Sequence, residues 1–129
     1  MAELAGPAAG RLILASSSPT RLGALRDAGL IVRAEAPGID EDEIRRSCRA
    51  EGANATAAAE MLAELKAVKI SRRHPDALAI GADQMLDCEG VWFEKPESRD
   101  RARAQLVALR GRTHDLVSAV AVADRKSVV

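Results

Sequence analysis

The sequence predicts an α/β fold with a mixed sheet and flanking helices. Short apolar runs with the length of buried strands alternate along the chain with segments whose apolar residues recur at helical spacing. This alternation implies that at least some strands pair in parallel, because helices connect them. The chain has 129 residues, of which 47% are hydrophobic and 29% charged, a balance that excludes a disordered tail or a membrane protein. We expect a single domain over residues 1–129.

The first segment of the chain is predicted to form a strand, a serine-rich loop and a helix. The apolar run at 11–15 precedes the loop 16–19, and leucines at helical spacing then continue to Gly29. A serine followed by proline is typical of a helix start, because the serine oxygen caps free amides and proline suits the first helical position. Glycine suits the left-handed conformation that ends many helices. A second short strand is predicted over 30–34.

The middle of the chain is predicted to contain a loop, a long helix and a buried strand. The acidic run at 39–43 has the composition of a solvated loop, and an amphipathic helix is predicted over 52–70. The apolar run at 77–82 is predicted to be a buried strand that carries Asp83 at its carboxyl end.

The last third is predicted to contain a hairpin, a helix and a strand. The hairpin covers 85–93 and turns at 89–90, and the helix begins after Ser98 and ends at Gly111. A strand rich in valine and alanine follows over 113–123.

Both ends of the chain lack a clear pattern, and the composition limits the partners. Residues 1–10 are expected to be a flexible N-terminus and 124–129 an atypical tail.

The 19 basic and 19 acidic side chains give zero net charge, and aromatic residues make up 2%, so neither nucleic acid nor a membrane is an expected partner. No secretory signal or spanning segment is present and the cysteines are few, so a cytoplasmic location is expected.

The serine-rich loop is the first candidate binding site. Backbone amides at a helix N-terminus, together with hydroxyls and an arginine, can bind phosphate, and such groups belong here to Ser16, Ser18, Thr20 and Arg21. The alternative is a capped helix whose arginine is solvated. The loop alone favours that alternative, because serine–proline helix starts are common.

Four charged residues are candidates for catalysis. Asp83 could bind Mg²⁺ or orient a water molecule, or could simply begin a turn. Glu41 could supply a second carboxylate for a metal, although acidic runs are more often solvated surface. Lys66 beside an apolar stripe could point into a cleft, although most such lysines merely flank a buried face. Lys95 before a proline could bind phosphate, although a loop lysine usually lies in solvent.

Six short blocks along the chain are together more specific than any one of them: L-I-L-A-S-S-S-P-T-R, I-D-E, L-A-E-L-K-A, I-G-A-D-Q, E-K-P and L-R-G-R-T-H. Their order and spacing resemble those of the Maf family of nucleotide pyrophosphatases over residues 11 to about 122. The resemblance implies an α/β fold like that of the inosine-triphosphate pyrophosphatases, with a cleft between two lobes. It also implies hydrolysis of a nucleoside triphosphate to the monophosphate and pyrophosphate with Mg²⁺ or Mn²⁺, which would remove unwanted nucleotides from the pool.

The resemblance further implies roles for individual residues. Asp83 matches the family's proton acceptor, which activates water, and Glu41 would join Asp83 in holding the metal. The residues expected to bind and neutralise the triphosphate carry hydroxyl or cationic side chains: Ser16, Ser18, Arg21, Lys66 and Lys95.

Three departures from the family pattern affect these expectations. Thr20 replaces the first of two arginines that usually follow the proline, at a position that resembles one linked to substrate choice. Glutamine at the position of Gln84 resembles the family branch that acts on 7-methyl-GTP. Threonine is typical at this position in the branch that acts on pyrimidine nucleotides such as dTTP or UTP. Family members continue well past the end of this chain, so we expect an unpaired sheet edge and exposed apolar surface.

Two other hypotheses stay open. The chain could be a truncated, catalytically weak nucleotide-binding or division-regulatory module, which the missing part favours and the retained carboxylates and lysines oppose. An inosine-triphosphate-type pyrophosphatase is a weaker hypothesis, because such proteins lack the serine–proline loop. Homodimerisation is compatible with the family, but no residue of this sequence indicates it.

Overall fold

The computed structural model describes residues 11–129, so the expectation for residues 1–10 lies outside its described part. Strands and helices alternate along the chain, as the sequence predicts. The elements are β1 (Leu12–Leu14), α1 (Pro19–Asp27), β2 (Val32–Ala34), α2 (Glu41–Ala50), α3 (Ala55–Arg73), β3 (Leu78–Cys88), β4 (Val91–Phe93), α4 (Arg99–Leu109) and β5 (Asp115–Ala123). Among the described residues, no helix combines the length and the apolar character needed to cross a bilayer.

The five strands form one mixed sheet, which confirms the predicted fold class. β2, β1 and β3 are parallel, whereas β4 and β5 both run antiparallel to β3. β5 pairs with β3 from Ala79 to Asp87 and so occupies one edge of β3 along nearly its whole length. β1 and β4 therefore share the other edge, at 78–80 and 86–88. Residues 81–85 lie between these two pairings, and we call this stretch the sheet gap.

Helix α3 covers one face of the sheet and helix α1 covers part of the other. Alternate residues of β3 point toward α3 and are buried, as expected for a strand with one covered face. Alanines of α3 pack directly on this face, for example Ala63 and Ala67 against Ala121 of β5. The high alanine content of the sequence therefore allows an unusually close contact between helix and sheet.

Each of the four helices within residues 11–129 begins at a polar residue whose side chain caps the first turn. Ser18, Asp40, Asn54 and Ser98 each accept a hydrogen bond from the backbone amide three residues ahead. These bonds satisfy amides that have no partner within the helix. The predicted start after Ser98 is confirmed, and so is the helix start at the serine–proline pair.

The acidic run at 39–43 is part of a helix, so the prediction of a loop there is wrong. Asp40 caps α2, and the first turn of this helix carries Glu41, Asp42 and Glu43. Carboxylates near a helix N-terminus are stabilised by the positive end of the helix dipole. The acidic composition that indicated a solvated loop is thus also the composition of a helix start.

Asp83 lies inside β3, so its prediction at the carboxyl end of a strand is also wrong. β1 ends at Leu14, opposite Ile80, and the parallel part of the sheet ends there. β3 nevertheless continues to Cys88, because β5 provides backbone partners as far as Asp87. The predicted hairpin turn at 89–90 is confirmed, with positive φ at both residues.

The tail at 124–129 folds back onto β5. Val122 and Val129 exchange two backbone hydrogen bonds of 2.8 Å. The Asp124 carboxylate accepts hydrogen bonds from the amides of Lys126 and Ser127, an arrangement typical of aspartate in turns. The face of β5 that points away from α3 is exposed, with Leu116 and Val120 62% and 68% accessible, in agreement with the expected apolar surface.

The C-terminal end of α3 holds the segment that leads into α2. Arg73 donates hydrogen bonds to the carbonyls of Ala36 and Pro37, at 3.0 and 2.7 Å, and to the carboxylate of Glu35. Lys69 donates to the carbonyl of Gly38. These contacts orient the N-terminus of α2 relative to α3.

Replacing Arg73 with alanine is expected to lower the free energy of unfolding by about 1–3 kcal/mol, because carbonyls lose charged hydrogen-bond donors. Urea unfolding followed by circular dichroism would measure the change. Arg72→Ala is the matched control, since Arg72 is exposed and makes no ion pair or hydrogen bond among the described residues. Equal stabilities of the two variants would contradict the assigned role of Arg73.

Candidate functional site

Two cationic side chains meet at the sheet gap. The carbonyl of Ile80 accepts a hydrogen bond from the amide of Ala15, where the β1 pairing ends. Two residues further along, the Ala82 carbonyl points to the same edge, because carbonyls alternate in direction along a strand. It accepts hydrogen bonds from Lys66 Nζ at 3.0 Å and from Arg21 Nη1 at 3.2 Å. The gap thereby brings the arginine of α1 and the lysine of α3 to one backbone oxygen.

Beside this oxygen, two carboxylates and two cations form a compact group, which we call the charge cluster: Glu41, Arg45, Lys66 and Asp83. Lys66 Nζ lies 2.7 Å from Glu41 Oε1 and 3.4 Å from Asp83 Oδ1. Arg45 Nη2 lies 3.5 Å from each of the same two carboxylate oxygens. Each cation therefore contacts both carboxylates. Three separate elements, α2, α3 and β3, supply the four side chains.

Asp83 is the most buried carboxylate of the cluster and is incompletely paired. It is 3% accessible, as is Lys66, and its Oδ2 atom has no hydrogen-bond partner among residues 11–129. Burial raises the pKa of the Asp83 carboxyl, and the nearby charges of Lys66 and Arg45 offset only part of that rise. A buried carboxylate with a free oxygen and a raised pKa is typical of a functional site rather than of a stabilising ion pair.

The raised pKa of Asp83 predicts how the stability of the metal-free chain depends on pH. The folded state favours the protonated carboxyl, so it binds more protons than the unfolded state between the ordinary value of 3.8 and the raised pKa. The contribution of Asp83 to stability therefore falls as the pH rises through this window. An asparagine at this position does not titrate.

We therefore expect the free energy of unfolding of Asp83→Asn, relative to the unmodified chain, to increase as the pH rises through that window. Urea unfolding in the presence of a chelator, at several pH values from about 4 to 8, would measure this difference. A difference that stays constant with pH would contradict the prediction.

The serines of the loop after β1 act as local hydrogen-bond acceptors. Ser16 Oγ accepts from the amide of Ser18 at 3.0 Å, and Ser18 Oγ accepts from the amide of Arg21 at 3.3 Å. Ser18 thus caps α1, as the sequence predicts. The Arg21 side chain, however, is not simply solvated, because it reaches the Ala82 carbonyl of the sheet gap. Thr20 is exposed on the first turn of α1.

Two candidates from the sequence lie apart from the charge cluster. Gln84 is exposed on the sheet face opposite Asp83, where its Nε2 donates a hydrogen bond to Ser118 Oγ at 3.1 Å. Lys95 is exposed in the loop after β4 and lines a cavity of about 300 Å³ that also includes Phe93 and Arg101. The structure thus brings together Glu41, Lys66, Asp83 and Arg21, but not Gln84 or Lys95.

The residues of the charge cluster fit a divalent cation. Mg²⁺ is commonly held by one or two carboxylates, with water and substrate phosphates completing the coordination. Glu41 and Asp83 offer such a pair, and the unpartnered buried oxygen of Asp83 is a free ligand atom. Over 11–129 no group of three or more histidine, cysteine, aspartate or glutamate side chains could hold a metal. A divalent cation held by Glu41 and Asp83 would therefore take most of its ligands from water and phosphate.

Comparison with known proteins identifies the family. Over residues 11–129 the sequence matches the family described as Maf-like protein. The chain belongs to the Maf family. The resemblance drawn from the six sequence blocks is thereby confirmed. The fold of this Maf-family chain is the mixed α/β sheet described above.

Several curated relatives of this Maf-family chain carry names that describe an activity. The nucleoside triphosphate pyrophosphatase of Paramagnetospirillum magneticum is 53% identical over 117 residues, which cover 90% of this chain and 60% of the relative. That of Granulibacter bethesdensis is 50% identical over 113 residues, covering 88% and 57%. A 7-methyl-GTP pyrophosphatase of Brucella abortus is 39% identical over 113 residues, with the same coverage. The chain thus spans about 60% of the length of these relatives.

Sequence reasoning missed two groups of this Maf-family site. The Ala82 carbonyl was missed because backbone atoms have no sequence signature. Arg45 was missed because α2 was interpreted as a loop. On a helix, residues four apart share a face, so a helical interpretation of this segment would have placed Arg45 beside Glu41.

Proposed function

We propose that the protein hydrolyses a nucleoside triphosphate between its α- and β-phosphates and releases the nucleoside monophosphate and pyrophosphate. The observation that carries the proposal is the buried Asp83, with a free carboxylate oxygen, beside Lys66 and Glu41 at the sheet gap. The names of the curated Maf relatives support the same reaction class.

In the proposed reaction, Asp83 accepts a proton from a water molecule. The water oxygen forms a bond to the α-phosphorus while the bond to the bridging oxygen breaks, and pyrophosphate leaves. Without a bound metal, burial raises the pKa of Asp83 and makes this carboxylate a stronger base than an exposed aspartate. The Asp83 side chain lies on the face of β3 that α3 covers, and residue 83 is within the sheet gap.

The cationic residues of the site would neutralise the triphosphate. Lys66 and Arg21 meet at the Ala82 carbonyl, and both can turn hydrogen-bond donors to phosphate oxygens that enter the gap. Glu41 and Asp83 would hold Mg²⁺ or Mn²⁺, which supplies positive charge against the phosphates when bound. Phosphoryl transfer depends mainly on such positioning and charge stabilisation. Ser16, Ser18 and Lys95 are proposed as further contacts to the substrate.

For the substrate we propose 7-methyl-GTP first and dTTP or UTP second, within a role in removing unwanted nucleotides. A relative named 7-methyl-GTP pyrophosphatase supports the first choice. Gln84 carries an exposed amide that can both donate to and accept from a base edge, and Thr20 is exposed on α1. Thr20 and Gln84 are the proposed determinants of base preference, with Gln84 contacting the base from the sheet face opposite Asp83.

Pyrophosphate release by the 129-residue chain tests the proposal. The chain would be incubated with Mg²⁺ or Mn²⁺ and, in separate reactions, with 7-methyl-GTP, GTP, UTP, dTTP, CTP and ITP. We expect release from at least one of them, fastest from 7-methyl-GTP. A folded chain that releases no pyrophosphate from any of the six would overturn the proposal. Nucleotide binding without release would then favour the alternative of a catalytically weak binding module.

A further inference from the structure

Arg45 makes contacts that the proposed reaction does not use. Its guanidinium lies 3.5 Å from both Glu41 Oε1 and Asp83 Oδ1, the two carboxylates suited to a metal. It also lies 3.1 Å from Asp42 Oδ1, through its other terminal nitrogen. Arg45 therefore touches three carboxylates at once.

A cation at this position and a divalent metal would compete for the same oxygens. Lys66 and Arg45 already neutralise Glu41 and Asp83, so a divalent ion added beside both cations would meet net repulsion. Lys66 is 3% accessible and tied to the Ala82 carbonyl, so it has little freedom to leave. The Arg45 side chain is 23% accessible and belongs to a surface helix, so it is the more mobile of the two cations.

Asp42 provides the place to which Arg45 can withdraw. The Asp42 side chain is 63% accessible and lies one turn before Arg45 on α2. A guanidinium that leaves Asp83 can keep its contact with Asp42 in the more solvated part of the cluster. After withdrawal the charge of Arg45 is still paired with Asp42. The Oδ2 atom of Asp83, which is 3% accessible, stays available to a ligand.

We propose that Arg45 is a built-in counter-ion of Glu41 and Asp83, which a divalent metal displaces toward Asp42. Arg45 thereby lowers the affinity of the site for metal and keeps the two carboxylates neutralised when no metal is bound. The inference rests on the metal site of the proposed function. It concerns binding of the ion itself, so it is tested without nucleotide and without turnover.

The test is a titration of the nucleotide-free 129-residue chain with Mn²⁺, in which free ion is measured by electron paramagnetic resonance. Arg45→Gln is expected to tighten Mn²⁺ binding about tenfold, because it removes one positive charge next to the ligands. Arg46→Gln is the matched control: it removes the same charge from the next residue, which is exposed and makes no ion pair among residues 11–129. We expect it to change binding by less than about twofold, because exposed charges are screened.

A second variant tests the withdrawal toward Asp42. Asp42→Asn is expected to weaken Mn²⁺ binding more when it is made in the unmodified chain than when it is made in Arg45→Gln. Only the unmodified chain has a guanidinium that must move to the Asp42 carboxylate when the metal binds. Thermal unfolding of each variant would show that it is folded. Equal Mn²⁺ affinities of Arg45→Gln and Arg46→Gln would overturn the role of Arg45 and leave the proposed activity intact. Failure of both the unmodified chain and Arg45→Gln to bind Mn²⁺ would overturn the metal site as well.

Discussion

Asp83→Asn is expected to reduce the rate of pyrophosphate release by about a thousandfold, the usual order for removing a general base. Asparagine has nearly the shape of aspartate but cannot accept the proton of water, and it is a poorer metal ligand. The change also removes the negative charge that holds Lys66 and Arg45 at the sheet gap. Steady-state rates with the nucleotide that the unmodified chain hydrolyses fastest would measure the effect.

Asp87→Asn is the matched control for this substitution. Asp87 lies on the same strand, four residues beyond Asp83, and makes no ion pair or hydrogen bond through its side chain among the described residues. We expect it to retain most of the activity. If Asp83→Asn kept more than about a tenth of the rate of Asp87→Asn, Asp83 would not be the general base. The pH dependence of stability described above tests separately whether the pKa of Asp83 is raised in the folded chain.

Gly81→Ala is expected to destabilise the fold by about 3 kcal/mol or more, as overpacking against fixed backbone does. A Cβ atom at Gly81 would overlap the carbonyl oxygen of Ala63 and lie 2.9 Å from the amide nitrogen of Ala67. Both atoms belong to the backbone of α3, so the helix as a whole would have to move away from β3. Since Lys66 lies on the same turn of α3 and Asp83 is two residues from Gly81, the charge cluster would be displaced too.

Urea unfolding of Gly81→Ala, beside Gly23→Ala as the control, would test this prediction. Gly23 lies inside α1, and a Cβ atom there would meet nothing within 4 Å. Alanine favours a helix over glycine by about 1 kcal/mol, so Gly23→Ala is expected to leave stability unchanged or to increase it. A Gly81→Ala variant as stable as Gly23→Ala would show that α3 and β3 are not in the close contact described here.

The elements that sequence reasoning predicted correctly are those with local causes. Ser18 and Ser98 start helices because their own oxygens reach amides three residues away, and the turn at 89–90 follows from backbone conformations that glycine tolerates. The blocks containing Glu41, Lys66 and Asp83 identified the family without any knowledge of distances. Their assignment to one site came from that resemblance, since none of them is adjacent in sequence.

The errors at α2 and β3 show what local patterns leave open. An acidic run suits a solvated loop and the first turn of a helix equally well. The choice here depends on the Asp40 cap and on packing of Ile44 against the buried cluster that contains Cys48. The length of β3 depends on β5, whose paired residues lie 28 to 44 positions later in the chain. A strand with such a partner continues where the apolar run suggested an end.

The sequence by itself determined the fold class, the helix starts at Ser18 and Ser98, the family and most of the charged residues of the candidate site. Tertiary structure alone decided that Arg45 joins them, that Arg21 and Lys66 share the Ala82 carbonyl, and that Gln84 faces away. The reason is the range of the forces involved. Caps and turns involve neighbours a few residues apart, whereas Arg45 and Asp83 are 38 positions apart and meet only because α2, α3 and β3 pack together.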